Sequence, residues 1–199
     1  MVEYKLEHKN HMGAWFIDET ICDKILKFFY DNSNFHHKGK SYFPDKKTND
    51  TVIEYDKDVK ESLEMEITFD VFEKPLDEYR DSLQKVLDNY IKRYDYLNTM
   101  QAFNINENYK IQTYPKGGGF KQWHVENTSP NLSKRVLVFM TYLNDVPDGG
   151  TMFKDQDIIV PAKKGLTLIW PAGFTHVHKG QITDKYEKQI VTGWYSYNE

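Results

Sequence analysis

The sequence predicts a mainly β protein with helices in its N-terminal half, an α+β chain whose strands form a sandwich or barrel. Three observations carry this. Fourteen Tyr and twelve Phe, with four Trp, make an aromatic share of 15%, and such residues suit a pleated, half-buried surface. From Tyr109 onward at least six short β-forming runs alternate with turn signals, a spacing typical of sandwiches and barrels, the jelly roll among them. Before that point, two stretches follow the helical repeat instead.

In chain order, Asp18-Glu19-Thr20 offers a cap ahead of Ile21, Ile25, Leu26 and Phe29, spaced i, i+4, i+5 and i+8 on one helix face. The stretch Asp31 to Asp50 is polar, rich in Asn, His, Lys and Gly, and reads as a long loop with His36-His37 solvated in it. Loops of that length in compact domains often act as lids. A second helix starts near Pro75, where Leu76, Tyr79, Leu83, Val86, Leu87 and Tyr90 keep helical spacing through to Tyr94. Strands follow. Lys110 to Tyr114 alternates polar and apolar residues, Lys116 to Gly119 is a turn, and Arg135 to Leu143 is rich in β-formers. Asp145 to Gly150 reads as another turn, and Asp157 to Val160, Leu166 to Trp170 and Lys188 to Tyr195 as further strands.

The 199 residues are read as one domain, with 1–108 as helical support and lid and 109–199 as the β core. A chain of this length buries roughly 70% of its unfolded surface. Net charge is −4 with Lys and Arg scattered, so no nucleic-acid partner is expected. A lone cysteine, Cys22, excludes an internal disulfide and fits a reducing compartment. The first residues lack signal-peptide features, and the longest apolar runs are too short to span a bilayer. The expectation is a soluble, cytoplasmic protein without a membrane partner.

The chemistry-bearing residues lie in the last third. Residues i and i+2 of a strand point to one face, so His124 and Glu126, within Trp123-His124-Val125-Glu126, would aim together into a cavity. An isolated H-x-E is more often an exposed polar stripe. A third ligand comes from His176 or His178, between which strand alternation does not choose. Two histidines and one carboxylate with open positions suit non-haem Fe(II), and Zn(II) is chemically possible with the same set. Lys188 shares a face with Ile190, Thr192 and Trp194. It is either a snorkelling surface lysine or a buried cation in need of an anion. Tyr142, and more weakly Tyr114, offer hydroxyls to the same anion or are plain core residues.

Taken together, these segments resemble the 2-oxoglutarate- and Fe(II)-dependent dioxygenases, in their prolyl 4-hydroxylase-like branch. The likeness rests on Gln112 to Phe120, Trp123 to Glu126, Val138 to Asp145, Asp148 to Phe153, His178-Lys179-Gly180 and Lys188 to Tyr195. It covers 109–199 in order and spacing, is weak over 1–108, and looks most like the compact hydroxylase-like proteins of phage and bacteria. The resemblance implies a double-stranded β-helix (a jelly roll) with Fe(II) held by His124, Glu126 and His178. His178 is preferred because the family places its basic residue about ten positions after the distal histidine. The resemblance implies further that Lys188 anchors the distal carboxylate of 2-oxoglutarate, helped by Tyr142, Tyr114 and Thr192. It implies O2 as oxidant and ascorbate as reductant. A peptide or protein substrate is favoured, with proline as the residue hydroxylated; a small molecule or free amino acid is the alternative, as is a cupin-like metal-binding module without oxygenase activity. A phage-encoded member would work in the host cytoplasm. Glu126 departs from the family's usual Asp by one methylene. Its carboxylate argues against the halogenating variants, which lack one.

Overall fold

The structure, a computed structural model, describes residues 1–6, 10–44 and 51–198. Alternation along Arg135–Tyr142 shows how its layers are built: Leu137 and Phe139 join one hydrophobic cluster, while Val138, Met140 and Tyr142 join another. The neighbouring strand Lys188–Tyr197 does the same, with Val191 and Tyr195 on the first side and Ile190 on the second. Both faces of these strands are therefore buried, which explains their near-continuous apolar character.

The first cluster fills the space between the large sheet and two helices, α1 (Glu19–Asp31) and α2 (Leu76–Arg93). Asp18 caps α1, accepting a hydrogen bond from the Thr20 amide at 2.9 Å. Cys22, Ile25 and Phe29 form its buried stripe, and burial pushes the Cys22 thiol up to about 12. Helix α2 buries all six apolar residues anticipated for it, and carries Asp77 and Glu78 in its first turn and Lys92 and Arg93 in its last, each favourable to the helix dipole.

Among the described residues the large sheet has nine strands, in the order Val2–Glu3, Gly13–Phe16, Leu166–Pro171, Arg135–Tyr142, Lys188–Tyr197, Tyr109–Tyr114, Leu63–Ile67 and His37–Lys38, with Phe103–Asn104 beside the end of Lys188–Tyr197. Facing it is the small sheet Ile158–Ala162, Val146–Phe153 and His178–Gly180, extended by an isolated bridge between His178 and His124. The second cluster lies between the two sheets. This is the jelly-roll double-stranded β-helix, with the helices packed on the outer face of its large sheet.

Several expectations are corrected. The N-terminal half is not only helical: Gly13–Phe16 and Leu63–Ile67 extend the large sheet on both sides. Leu63–Ile67 alternates too briefly to stand out in sequence, and its Met65 and Ile67 join the helix-side cluster. The stretch expected as a loop from Asp31 carries a short 3-10 turn, Ser33–Phe35, and the strands His37–Lys38 and Ser41–Pro44, the latter pairing with Thr51–Glu54. The part of that expected lid at 45–50 lies outside the described residues. His36 is not simply solvated, because its ring stacks on Phe29 at 3.8 Å and meets the Phe29 carbonyl at 2.8 Å. The expected turn Asp145 to Gly150 lies largely within the strand Val146–Phe153. There a register shift between Val146 and Thr151 and a positive φ of 59° at Asp148 make a bulge rather than a chain reversal.

Candidate active site

One end of the space between the sheets opens into a cavity of about 780 Å³. His124, Glu126 and His178 converge there. Glu126 Oε1 lies 3.5 Å from His124 Nε2 and 3.4 Å from His178 Nε2, and one ligand atom from each residue falls within 4.8 Å of the others. His178 begins the strand His178–Gly180. His124 and Glu126 do not form the continuous strand expected of them. His124 exchanges two backbone hydrogen bonds with His178, at 3.0 and 2.9 Å, and the Glu126 amide donates to Ala172 O at 3.1 Å. Those backbone bonds, rather than strand alternation, put both side chains on one side.

The imidazole orientations are set from behind. Nδ1 of His124 lies 2.9 Å from Gln122 O, and Nδ1 of His178 lies 2.8 Å from His176 O. A carbonyl only accepts, so each Nδ1 carries a proton and each Nε2 is left to face the carboxylate. Phe120 stacks on the His124 ring at 3.6 Å, and Trp170 meets the His178 ring edge-on at 5.1 Å. Burial, with His178 beside it, lowers the His124 pKa. Burial works to raise the Glu126 carboxyl, but hydrogen bonds and charge from the two histidines outweigh it and hold it well below the usual range. Two Nε2 lone pairs and a carboxylate oxygen crowded together repel unless protons or a cation lie between them. This donor set fits a divalent metal with open positions, iron among the candidates.

Two residues missed at the sequence level hold the carboxylate. Trp194 Nε1 donates to Glu126 Oε2 at 3.0 Å. Arg135 NH1 donates to Glu126 O at 3.0 Å and sits 3.7 Å from Oε2, its guanidinium 3.6 Å above the Trp194 ring. Glu107 completes the set through paired bonds to Arg135. The shared inner face of Lys188 and Trp194 was a usable signal; the Arg135–Glu107 pairing, 28 residues apart, had none.

Lys188 lines the same cavity. It is 5% exposed, so the surface reading is excluded. Its ammonium donates to Gln181 O at 3.2 Å and lies 5.3 Å from the centre of the Tyr114 ring. No carboxylate pairs with it among the described residues, and burial pushes its pKa down to about 8. Gly180 runs directly past it: a Cβ there would stand 3.0 Å from Nζ. Tyr142 is buried in the cavity wall, its hydroxyl 2.6 Å from Thr151 Oγ1. The Tyr114 hydroxyl donates to Gln112 Oε1 at 2.8 Å, and Thr192 donates to Phe139 O at 3.2 Å. All four anticipated residues thus line one cavity, although the hydroxyls of Tyr142, Tyr114 and Thr192 already have partners. His176 stands apart, its ring between Asn10 O at 2.8 Å and Thr175 Oγ1 at 2.9 Å.

No helix among the described residues is long and apolar enough to cross a membrane. Residues 109–196 match the family model of the 2OG-Fe(II) oxygenase superfamily. No curated protein sequence matches the chain. Among solved structures, a prolyl 4-hydroxylase from Pseudomonas putida superposes with a TM-score of 0.65 at 13% identity, over 96% of this chain and 95% of that one. A Trichoplax adhaerens prolyl hydroxylase, solved with a peptide fragment of the hypoxia inducible factor oxygen degradation domain, gives 0.68 at 16%, over 94% and 84%. A viral collagen prolyl hydroxylase from Paramecium Bursaria Chlorella virus-1, in complex with 2OG, gives 0.59 at 15%, over 94% and 97%. At these identities the likeness is one of fold.

Proposed function

We propose, from the premise that residues 109–196 are a 2OG-Fe(II) oxygenase domain with a prolyl 4-hydroxylase-like fold, that the chain hydroxylates a C–H bond of a peptidyl residue, proline first. The whole chain, 1–199, acts in this reading as one oxygenase domain. His124, Glu126 and His178 are the metal ligands, and Lys188 receives the distal carboxylate of 2-oxoglutarate. The observation that carries the reading is Lys188 itself. An ammonium buried without a counter-carboxylate among the described residues, in the same cavity as a convergent His-Glu-His set, is costly until an anion arrives.

When bound, Fe(II) with 2-oxoglutarate and O2 supplies the oxidation, in which one oxygen atom ends in succinate, released with CO2, and the other in the hydroxyl of the product. The protein's own part is to position. Gln122 O and His176 O keep both Nε2 atoms directed inward, while Trp194 and Arg135 hold the Glu126 carboxylate. Lys188, beside the Tyr114 ring and near Gly180, is the anchor for a dicarboxylate's far end. Tyr142 is the hydroxyl donor closest in role to it, Tyr114 and Thr192 shaping the wall around them. Ascorbate is the reductant expected to keep the iron divalent.

The peptide preference is supported by the solved likeness that holds a peptide. The test is succinate formation from 2-oxoglutarate under air with Fe(II) and ascorbate, for wild type and Lys188→Ala, with a proline-rich peptide pool. Turnover that peptides stimulate and the variant loses supports the reading. Turnover stimulated only by free amino acids moves the substrate to a small molecule. No turnover by folded, iron-loaded protein with any of these overturns it.

A further inference from the structure

Away from Lys188, the cavity wall carries a second buried cation. Lys60 is 5% exposed and lines the cavity beside Phe120, whose ring stacks on His124. Its ammonium lies 2.5 Å from Glu64 Oε1 and 5.6 Å from the centre of the Phe120 ring. An ammonium has three donors, and among the described residues Glu64 is its only hydrogen-bonding partner. Glu64 is fully buried and shared: Oε1 also accepts from Ser62 and Gln112, both at 2.7 Å, and Oε2 lies 3.2 Å from Lys110 Nζ. Two lysines thus divide one buried carboxylate. Glu66, across the strands from Lys110, is exposed to solvent and does not reach Lys60. Lining the same cavity, the Ser41 hydroxyl is buried without a hydrogen-bond partner among the described residues.

Lys40 and Glu66, which also line the cavity, are exposed to solvent, and its other cations have roles of their own. Arg135 faces Glu107 and Glu126, and Lys188 is the anchor for the co-substrate. Lys60 therefore presents ammonium donors beyond its bond to Glu64, and the Phe120 ring against it stacks on His124 of the candidate metal site. We propose that Lys60 is a subsite for a carboxylate carried by the substrate itself, near the carbon that is hydroxylated, with Ser41 as a second donor. This rests on the oxygenase reading above and narrows its substrate: a residue whose own or adjacent carboxylate is free, rather than a neutral peptide stretch. Charge-assisted hydrogen bonds from an enclosed ammonium supply the selectivity, and Glu64 directs that ammonium and opposes the effect of its burial.

The test is equilibrium binding to Zn(II)-loaded protein, with and without 2-oxoglutarate. The probes are N-acetylproline, the amide of an N-acetylated proline–aspartate dipeptide, and neutral N-acetylproline amide. Wild type is expected to bind one of the two carboxylate probes about tenfold more tightly than the neutral one, the factor of one charge-assisted bond. Which one it is separates a free terminal carboxylate from a side-chain one. Lys60→Met should lose the preference while binding 2-oxoglutarate like wild type, and Lys60→Arg should keep it. No preference in wild type, or one that survives in Lys60→Met, overturns the subsite. Loss of 2-oxoglutarate binding in Lys60→Met but not in Lys188→Ala overturns it too, because Lys60 would then hold the co-substrate. Wild type that fails to bind 2-oxoglutarate yet keeps a Lys60-dependent preference counts against the oxygenase reading alone. If Lys60→Met does not fold, the side-chain NMR signals of Lys60 in wild type decide: they should shift with the carboxylate probe and not with the amide.

Discussion

Replacing Lys188 with Met should make the ligand-free protein more stable at neutral pH while abolishing 2-oxoglutarate binding. The ammonium is 5% exposed and burial takes its pKa from 10.5 to about 8. At about 1.4 kcal/mol for each pH unit between the two values, the charged lysine costs the fold about 3.5 kcal/mol. The bond to Gln181 O at 3.2 Å offsets this, since its loss costs about 1 kcal/mol. Methionine has a similar shape and no charge, so the net gain is about 2 kcal/mol, or about 4–8 °C in Tm for a chain of this size. Because the folded pKa lies below the unfolded one, the unfolded chain binds more protons between pH 8 and 10.5. Wild-type stability therefore rises across that window. The penalty is fully present below pH 8 and gone above 10.5, where Lys188→Met should be the slightly less stable protein. Thermal unfolding of both proteins at pH 7 and pH 10.5, with and without 2-oxoglutarate, checks each part. At pH 7 the ligand should raise the Tm of wild type only. A variant less stable than wild type at pH 7, or a stability difference that ignores pH, would refute the reasoning.

Other residues give sharper local tests. Trp194→Phe removes the donor to Glu126 Oε2 while keeping an aromatic face under Arg135, and should weaken metal binding about 10–100-fold in a competition titration. His178→Ala should abolish metal binding, whereas His176→Ala should retain it within a few-fold, because the backbone carbonyl of residue 176, not its ring, orients His178; the reverse order would reassign the ligand. Metal affinity should fall as pH drops, because protons compete with the metal for the ligand atoms, with protons released on metal addition at lower pH; calorimetry in two buffers reads this. Gly193→Ala would put a Cβ 2.6 Å from Tyr109 Cβ and closer still to Phe139 Cζ, so the denaturant midpoint should fall by the equivalent of about 1–3 kcal/mol.

The strands that carry the site were legible because both their faces are buried. Arg135–Tyr142, Leu166–Pro171 and Lys188–Tyr197 are long runs rich in β-forming residues, buried with little alternation. Helix α2 was equally plain, its stripe of six apolar residues matching its buried face. Short pieces escaped. Gly13–Phe16 and Leu63–Ile67 have four and five residues and are strands because a sheet edge accepts their backbone bonds. The expected turn at Pro147 and Gly149-Gly150 became a bulge for the same reason, with partners on both sides.

The local pattern by itself gave a mainly β chain with N-terminal helices, the faces of the long strands and the candidates His124, Glu126, His176 or His178, Lys188, Tyr142 and Tyr114, while the choice of His178 and the addition of Thr192 came from the family resemblance. It did not separate His176 from His178 by spacing alone, and it left open whether Lys188 is at the surface or buried. Tertiary structure decided those points. Backbone pairing with His124 turns His178 toward Glu126, while Asn10, 166 residues away from His176, takes the other ring. Burial in the jelly roll makes Lys188 a cation in need of an anion. Tertiary structure also brought together partners with no sequence signal, Trp194 and Arg135 on Glu126, and Lys60 with Lys110 on Glu64. Local periodicity records which face of an element is buried; which charges share that interior depends on contacts between residues far apart in the chain.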